Sequence, residues 1–583
     1  MGTREVNGLR ILGLSALAHD PAAVLLGEEA IEAATEETKL VRSRTVEGIP
    51  RQAIHFCLER ARIGWGDLDY IAMASRPVRT WARQTWLRTR VAPFAPVASG
   101  YYEAKALGEL ARELNNDRLL RRMDSRAKSQ VVHLEHHLCH AASAFYASPS
   151  DQALVLTLDE QGDGRSGMLA LGEGTRLRVL ESISFPHSLG WVYSQITDLL
   201  GFTPHRDEHK TQWLSLEGTP DFENVFLEMF GSSRGELPHL DFSFFNRGLA
   251  GRIAFSRKFY RRLGIEWDAS GDPWARPVAA ASEDRKRQLA SSVQQACART
   301  AAELAETYRK KTGARVLCLA GGVFLNPLLV AFIERNTGFE QVYVQPAAGN
   351  EGTALGAAWL VWHQLLGKAR REPPAHLYWG PAYSNQEIKQ VLDNCKSSYR
   401  WLEGDGEKVE DTLRLLEAGK IVAWYQGAAE FGPRALGHRS LLASPWAPYV
   451  KENLNEYVKH REAFRPFALS VPAEDSPAYF DCSPPGRFMA TMGYVRQQWR
   501  EPLAGFLLPG DQVRLHLVDR AVNPPLWRLL KRVGERGQAP LLVNTSFNLF
   551  GEPLVISPRD AVRSFYCSGV DALVIGNFSL TKG

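Results

Sequence analysis

Two stretches of this chain, residues 9–36 and 153–183, are written on one plan, and the repetition narrows the fold more than any other feature. Each runs strand, turn, strand, short turn, strand: LRILGLSALAHD, PAAVLLGEEA and IEAATE, then ALVLTLDEQGDG, RSGMLALGEG and TRLRVLESI. The first turn is acidic in both, with Asp20 in one copy and Asp159 and Asp163 in the other. The next turn falls at Gly27-Glu28 or at Gly172-Glu173-Gly174, residues that suit hairpins. Helical stretches follow each copy, which predicts two α/β halves.

Two such halves resemble the actin-like ATPase fold, whose hairpin tips hold a nucleotide's phosphates or a metal. A chain of 583 residues is too long for one core, so further domains are expected. A helix is predicted at about 284–311, with Leu289, Val293, Cys297, Leu304 and Tyr308 at helical spacing and Gly313 at its C-terminal end. The strand ARVLCLA follows. The charged, Pro-rich segment 367–385 marks a boundary. The expected division is 1–367, in halves of about 1–150 and 151–367, then a linker at 368–383 and a second α/β domain at 384–583. That domain opens with the helix EDTLRLLEAGK and the strand IVAWYQG.

Composition excludes several classes. The net charge of +4 points to no particular partner. The Arg-rich stretch 76–90 reads as the solvated face of a helix, so no nucleic-acid partner is expected. The 7 Cys form no CxxC pair, which fits a reducing compartment. The N-terminus has no apolar signal core, and the apolar run 316–333 is broken by Gly321, Gly322, Asn326 and Pro327. A cytoplasmic protein with no membrane span is expected. The residues do not fix the assembly state, and a homodimer is carried forward as an option.

Four groups of residues carry chemistry. In HLEHHLCHAASAFYAS, His136 and His140 are four apart, so a helix would aim both imidazoles one way, as a first-row metal requires. His133 and His137 share the spacing, and geometry alone does not choose. Asp159 ends an apolar strand beside Gly162 and Gly164, where its carboxylate would meet a cleft. Two Gly-rich turns, AGGVFLN with Gly321, Gly322 and Asn326, and AAGNEGTALGAAW, each follow a strand and open a helix, a place that attracts phosphate. Neither is a P-loop. Finally, Arg434 in EFGPRALGHRS, Arg439, Lys459 and Arg461 in VKHREAF, Arg465 and Arg514 lie among small residues. Guanidinium forks there suit phosphate. Thr545, Ser546 and Asn548 in NTSFN add side chains able to bond a nucleotide.

EHHLCHAASAFY, AGGVFLN, EFGPRALGHRS, KHREAFRPFA and PLLVNTSFN, in this order, resemble the O-carbamoyltransferases of antibiotic and nodulation-factor biosynthesis. GLSALAHDPAA and SLGWVYSQITDLLGF fit as well, so the likeness runs from about residue 9 to 580. The resemblance implies an actin-like N-terminal domain and a YrdC-like C-terminal domain. It implies that carbamoyl phosphate and Mg-ATP give carbamoyl-adenylate in the second. In the first, the carbamoyl group would pass to a hydroxyl or amino group of a small-molecule acceptor beside Fe(II) or another divalent metal. Carried over residue by residue, His136, His140, Asp159 and Asn350 fall on metal positions. Arg434, Lys459, Arg465 and Arg514 fall on carbamoyl-phosphate and nucleotide positions, with Ser546 and Asn548 on the nucleotide signature. His19 or Asp20 is the expected proton acceptor for the incoming alcohol.

Three departures stand out. Asn350 replaces the family's Asp. EHKTQWLS replaces EYKVMGLA, which puts Trp213 where the family has Gly beside the acceptor site. Glu36-Glu37-Thr38 replaces EER. The competing readings are a relative that binds without transferring, and an enzyme that carbamoylates tRNA or protein.

Overall fold

The computed structural model describes residues 8–16, 19–76, 111, 118–120, 122–123, 129–231, 235–247, 253–265 and 282–582. The Arg-rich stretch beyond Arg76 lies outside these, as do Leu17 and Ala18. Two compact units emerge. The first holds Met1–His19, Glu47–Ile49 and Ile63–Pro373; the second holds Asp20–Val46, Pro50–Arg62 and Pro374–Gly583.

In the first unit, strands Ile11–Ser15, Tyr70–Met73 and Gln130–His133 run parallel, with Ile11 opposite Tyr70 and Tyr70 opposite Gln130. The second sheet is centred on strand Gln152–Gly162. On one side it pairs with the antiparallel strands Arg165–Glu173 and Arg176–Ser184; on the other, with the parallel strands Val316–Ala320 and Gln341–Val344. The apolar run 316–333 is therefore strand, short turn and the start of helix Pro327–Asn336, as its Gly and Pro predict. The predicted long helix spans Glu283–Thr312, started by Ser282 and stopped by Gly313 in the left-handed conformation. Helix Asn350–Leu360 packs closely on helix His136–Phe145 because Gly356 faces the Cys139 carbonyl, where a Cβ would come within 1.8 Å. No described helix is long and apolar enough to cross a membrane.

The second unit contains a 10-stranded sheet, from Arg400–Trp401 at one edge to Phe480–Asp481 at the other. Its apolar residues divide into two clusters, one around Leu469, Val543 and Phe565, the other around Trp424, Leu442 and Leu529. EDTLRLLEAGK lies within helix Gly404–Glu417 and its end, and IVAWYQG gives strand Val422–Tyr425. This unit also takes in the first-copy hairpin Ala22–Leu26/Ile31–Glu36, which sequence order alone assigns to the N-terminal half. Its Ala34 N–H donates to Trp379 O at 3.2 Å. Lead strand and antiparallel hairpin thus occur twice along the chain, as the repetition predicts, and two parallel strands follow each copy. The division into compact units cuts through the first copy.

Candidate active sites

Helix His136–Phe145 starts on two carboxylates. Glu135 Oε2 accepts from the Leu138 N–H at 2.6 Å, and Asp163 Oδ2 from the His136 N–H at 2.8 Å. Its first turn presents His136 and His140 to Asp159, whose Oδ2 lies 3.2 and 3.4 Å from their Nε2 atoms. One ligand atom from each of the three side chains lies within 4.8 Å of the others, and all three residues are buried. Gly162 leaves room for the His136 ring: a Cβ there would sit 1.9 Å from His136 Cδ2.

Burial alone would raise the Asp159 pKa, but hydrogen bonds and charge from His136 and His140 hold it well below the carboxylate range. Burial and the neighbouring His136 push His140 down to about 4, so its imidazole is neutral at pH 7. Its Nδ1 is buried without a hydrogen-bond partner. Two imidazoles and an ionised carboxylate make a donor set that fits a first-row divalent metal. The alternative pair does not form. His133 ends a strand with its Nδ1 3.2 Å from Ser75 O, and His137 Nδ1 bonds Thr157 Oγ1 at 3.0 Å.

Asn350 opens its helix with Nδ2 3.2 Å from His19 Nδ1, while its Oδ1 is buried without a hydrogen-bond partner. His19 and Asp20 fall in different units. The AGGVFLN turn packs against the strand that carries Asp159. The Gly322 N–H donates to Asp159 Oδ1 at 3.3 Å, so the turn supports the His/Asp cluster. A Cβ on Gly321, at φ 101°, would strike the Leu158 carbonyl. Asn326 caps helix Pro327–Asn336 through the Leu329 N–H and donates to Gln294 at 2.7 Å. Trp213 is 4% exposed within helix Glu208–Leu214.

The second unit gathers cations. Lys459 is buried, and its ammonium donates to Ser546 O at 2.6 Å, Ser546 Oγ at 3.2 Å and Asn548 Oδ1 at 2.6 Å. Burial, then the charges of Arg461, Arg465 and Arg44, push its pKa well below the usual lysine range. Burial, then Arg434, Arg461 and Arg465, do the same to Arg514, and burial and Arg465 bring Arg461 to about 9. Arg461 and Arg465 thus act on both Lys459 and Arg514, and Arg434 on Arg514. Glu462 Oε2 lies 3.8 Å from Arg465 Nη1. Thr545 lies beside them in the sheet, opposite Leu441.

Arg439 does not join them. It is fully buried, stacks 3.6 Å from the Tyr425 ring centroid, and gives its Nη atoms to the carbonyls of Gln426, His438, Pro381 and Gly427. Its expected phosphate contact is replaced by a role in tying loops together.

Sequence reading missed the contacts that hold the EFGPRALG loop. Glu430 Oε1 accepts from the Leu436, His438 and Arg439 N–H groups at 2.9, 2.9 and 3.1 Å. Lys39 Nζ donates to Glu430 O and Gly432 O, each at 2.7 Å, and Glu36 Oε1 accepts from the Gly432 N–H at 2.5 Å. A buried lysine just after an apolar strand was the one available signal, and at a separation of 391 residues it named no partner.

Residues 10–359 match the family model described as Carbamoyltransferase N-terminus, and residues 413–582 match Carbamoyltransferase C-terminus. Nodulation protein NolNO of Sinorhizobium fredii is 34% identical over 97% of this chain and 79% of its own length. Nodulation protein NolO of Bradyrhizobium diazoefficiens is 34% identical over 77% of this chain and 79% of its own. Among solved structures, HypF of T. kodakarensis is similar at 14% identity and a TM-score of 0.32, covering 62% of this chain and 48% of that one.

Proposed function

This chain belongs to the carbamoyltransferase family, and from that premise we propose ATP-dependent transfer of a carbamoyl group from carbamoyl phosphate, through carbamoyl-adenylate, to a small-molecule hydroxyl. The observation that carries the reading is the crowd of cations around Lys459. Buried like charges are costly unless an anion offsets them, and phosphate oxygens accept from several guanidinium and ammonium donors at once. In this reading Lys459, Arg434, Arg465 and Arg514 grip carbamoyl phosphate and the ATP phosphates, while Ser546 and Asn548 fix the Lys459 ammonium. Water cleaves carbamoyl phosphate to phosphate and carbamate; a carbamate oxygen then displaces pyrophosphate from ATP. The cations stabilise the charge that builds on the departing phosphates.

Transfer would take place in the first unit. His136, His140 and Asp159 would hold a divalent metal, which when bound would polarise the carbamoyl carbonyl. His19 would take the acceptor's proton, with its ring oriented by Asn350.

The test is pyrophosphate release by the full-length protein, with and without carbamoyl phosphate. Release that requires carbamoyl phosphate and disappears in Lys459→Ala supports the reading. Release that ignores carbamoyl phosphate, or persists in Lys459→Ala, rejects it.

A further inference from the structure

The loop bearing Arg434 is held on both flanks. Downstream, the Leu436 carbonyl accepts from the Tyr378 hydroxyl at 2.7 Å and the Ala435 carbonyl from Asn544 Nδ2 at 3.4 Å. Upstream, the Phe431 N–H goes to Leu377 O at 2.7 Å, and further contacts come from a segment nearly 400 residues earlier. Lys39 holds the carbonyls on either side of Phe431, and Glu36 holds the Gly432 N–H. The two side chains pair at 2.9 Å, each 6% exposed.

The same segment reaches the other phosphate-side loop. Arg42 donates to Leu554 O and, at 3.0 Å, to Glu552 Oε2; Arg44 donates to Glu552 O at 2.9 Å. Glu552 O also accepts from Asn548 Nδ2 at 2.7 Å, and Asn548 Oδ1 accepts from Lys459. One turn of chain, Glu36 to Arg44, therefore grips the loop of Arg434 with one end and the loop beside Lys459 with the other. Glu37 anchors that turn by accepting from the Gln52 and Ala53 N–H groups at 3.0 and 2.7 Å, at the start of helix Arg51–Arg60.

We propose that Lys39, paired with Glu36, is a positioning residue for Arg434, and that the Glu36–Arg44 turn sets the spacing between Arg434 and Lys459. An apolar side chain could fill this space but could not hold two carbonyls facing one point. An ammonium paired with a carboxylate fixes both carbonyls and the intervening N–H. Arg434 follows Gly432 by two residues, so loosening Gly432 lets the guanidinium drift from the phosphate. The inference rests on the reading that Arg434 grips carbamoyl phosphate.

The test is a double-mutant cycle on the full-length protein, read as the KM for carbamoyl phosphate in pyrophosphate release. Lys39→Met should raise KM by about 10- to 100-fold, the scale of a small misplacement of a binding group. In an Arg434→Ala background the same change should alter KM by less than about twofold, because its effect passes through the missing guanidinium. Equal effects in both backgrounds mean that Lys39 merely supports the fold, and overturn the proposal. An unchanged KM in Lys39→Met beside a large Arg434→Ala effect overturns the brace alone. A silent Arg434→Ala overturns the carbamoyl-phosphate reading and the brace with it. Should Lys39→Met fail to fold by circular dichroism, Glu36→Gln, which keeps shape and volume, is put through the same cycle with the same criteria.

Discussion

The His/Asp cluster of the first unit and the cation crowd of the second are built on opposite electrostatic terms. Around Asp159 the charges are compensated: a carboxylate sits against two imidazoles, one of them neutral at pH 7. Around Lys459 like charges gather: burial, then Arg461, Arg465 and Arg44, lower the proton affinity of Lys459, and burial, then Arg434, Arg461 and Arg465, lower that of Arg514. A compensated cluster is stable by itself and can wait for a metal. A gathering of cations suits an anionic ligand, which would supply opposite charge. Under the proposed function each unit carries a different kind of chemistry.

The predictions that break or sharpen this contrast run from large effects to small. Lys459→Ala should cut carbamoyl-phosphate-dependent pyrophosphate release by on the order of 10²- to 10³-fold, measured by coupled pyrophosphate assay. Unchanged release would leave the cation crowd without a catalytic meaning. Next, Trp213→Gly should destabilise the first unit by about 3–5 kcal/mol, since it empties a buried indole site within a helix. Calorimetry should show an early transition while pyrophosphate release survives below it. A change of acceptor preference with no loss of stability would instead return Trp213 to the acceptor pocket that sequence reading gave it.

His140→Ala should lower carbamoyl transfer by on the order of 100-fold and remove bound metal, read by atomic emission, while pyrophosphate release stays intact. Parallel loss of both activities would erase the contrast between the units. The smallest effect belongs to Asn350→Asp. A carboxylate there should raise metal affinity about tenfold, or about 1.4 kcal/mol, in a chelator competition. No change would place residue 350 outside the metal's reach, as a partner of His19 alone.

The first cluster was legible because it is local. His136, His140 and Asp159 lie within 24 residues, and helix spacing plus strand alternation nearly place them. What sequence could not supply was the choice between His136/His140 and His133/His137, which depends on where the helix begins. The helix starts at His136, after Glu135 and Asp163 take its free N–H groups. The duplicated plan was legible for the same reason, since hairpin turns announce themselves within a few residues.

The cation crowd was legible only in part. Lys459, Arg465, Arg514 and Arg434 could be named from their small neighbours, yet Arg439, alike in sequence, is spent on four carbonyls. Composition cannot tell a guanidinium aimed at a ligand from one aimed at the backbone; the fold decides that. Gly321 and Gly322 pose the same difficulty. A glycine needed for close approach to a ligand looks identical to one needed for close approach to Leu158 and Asp159.

The brace from Glu36 to Arg44 also bears on how such a gene can be cut and recombined. The coding sequence for the second compact unit is discontinuous: two short inserts, Asp20–Val46 and Pro50–Arg62, precede its main block by some three hundred codons. A crossover at the linker near residue 373 exchanges the sheet of that unit without its brace. A chimaera joined there would carry a foreign Glu36–Lys39 turn against its own EFGPRALG loop. Exchange of the unit between relatives therefore requires the hairpin and the distant block to travel together.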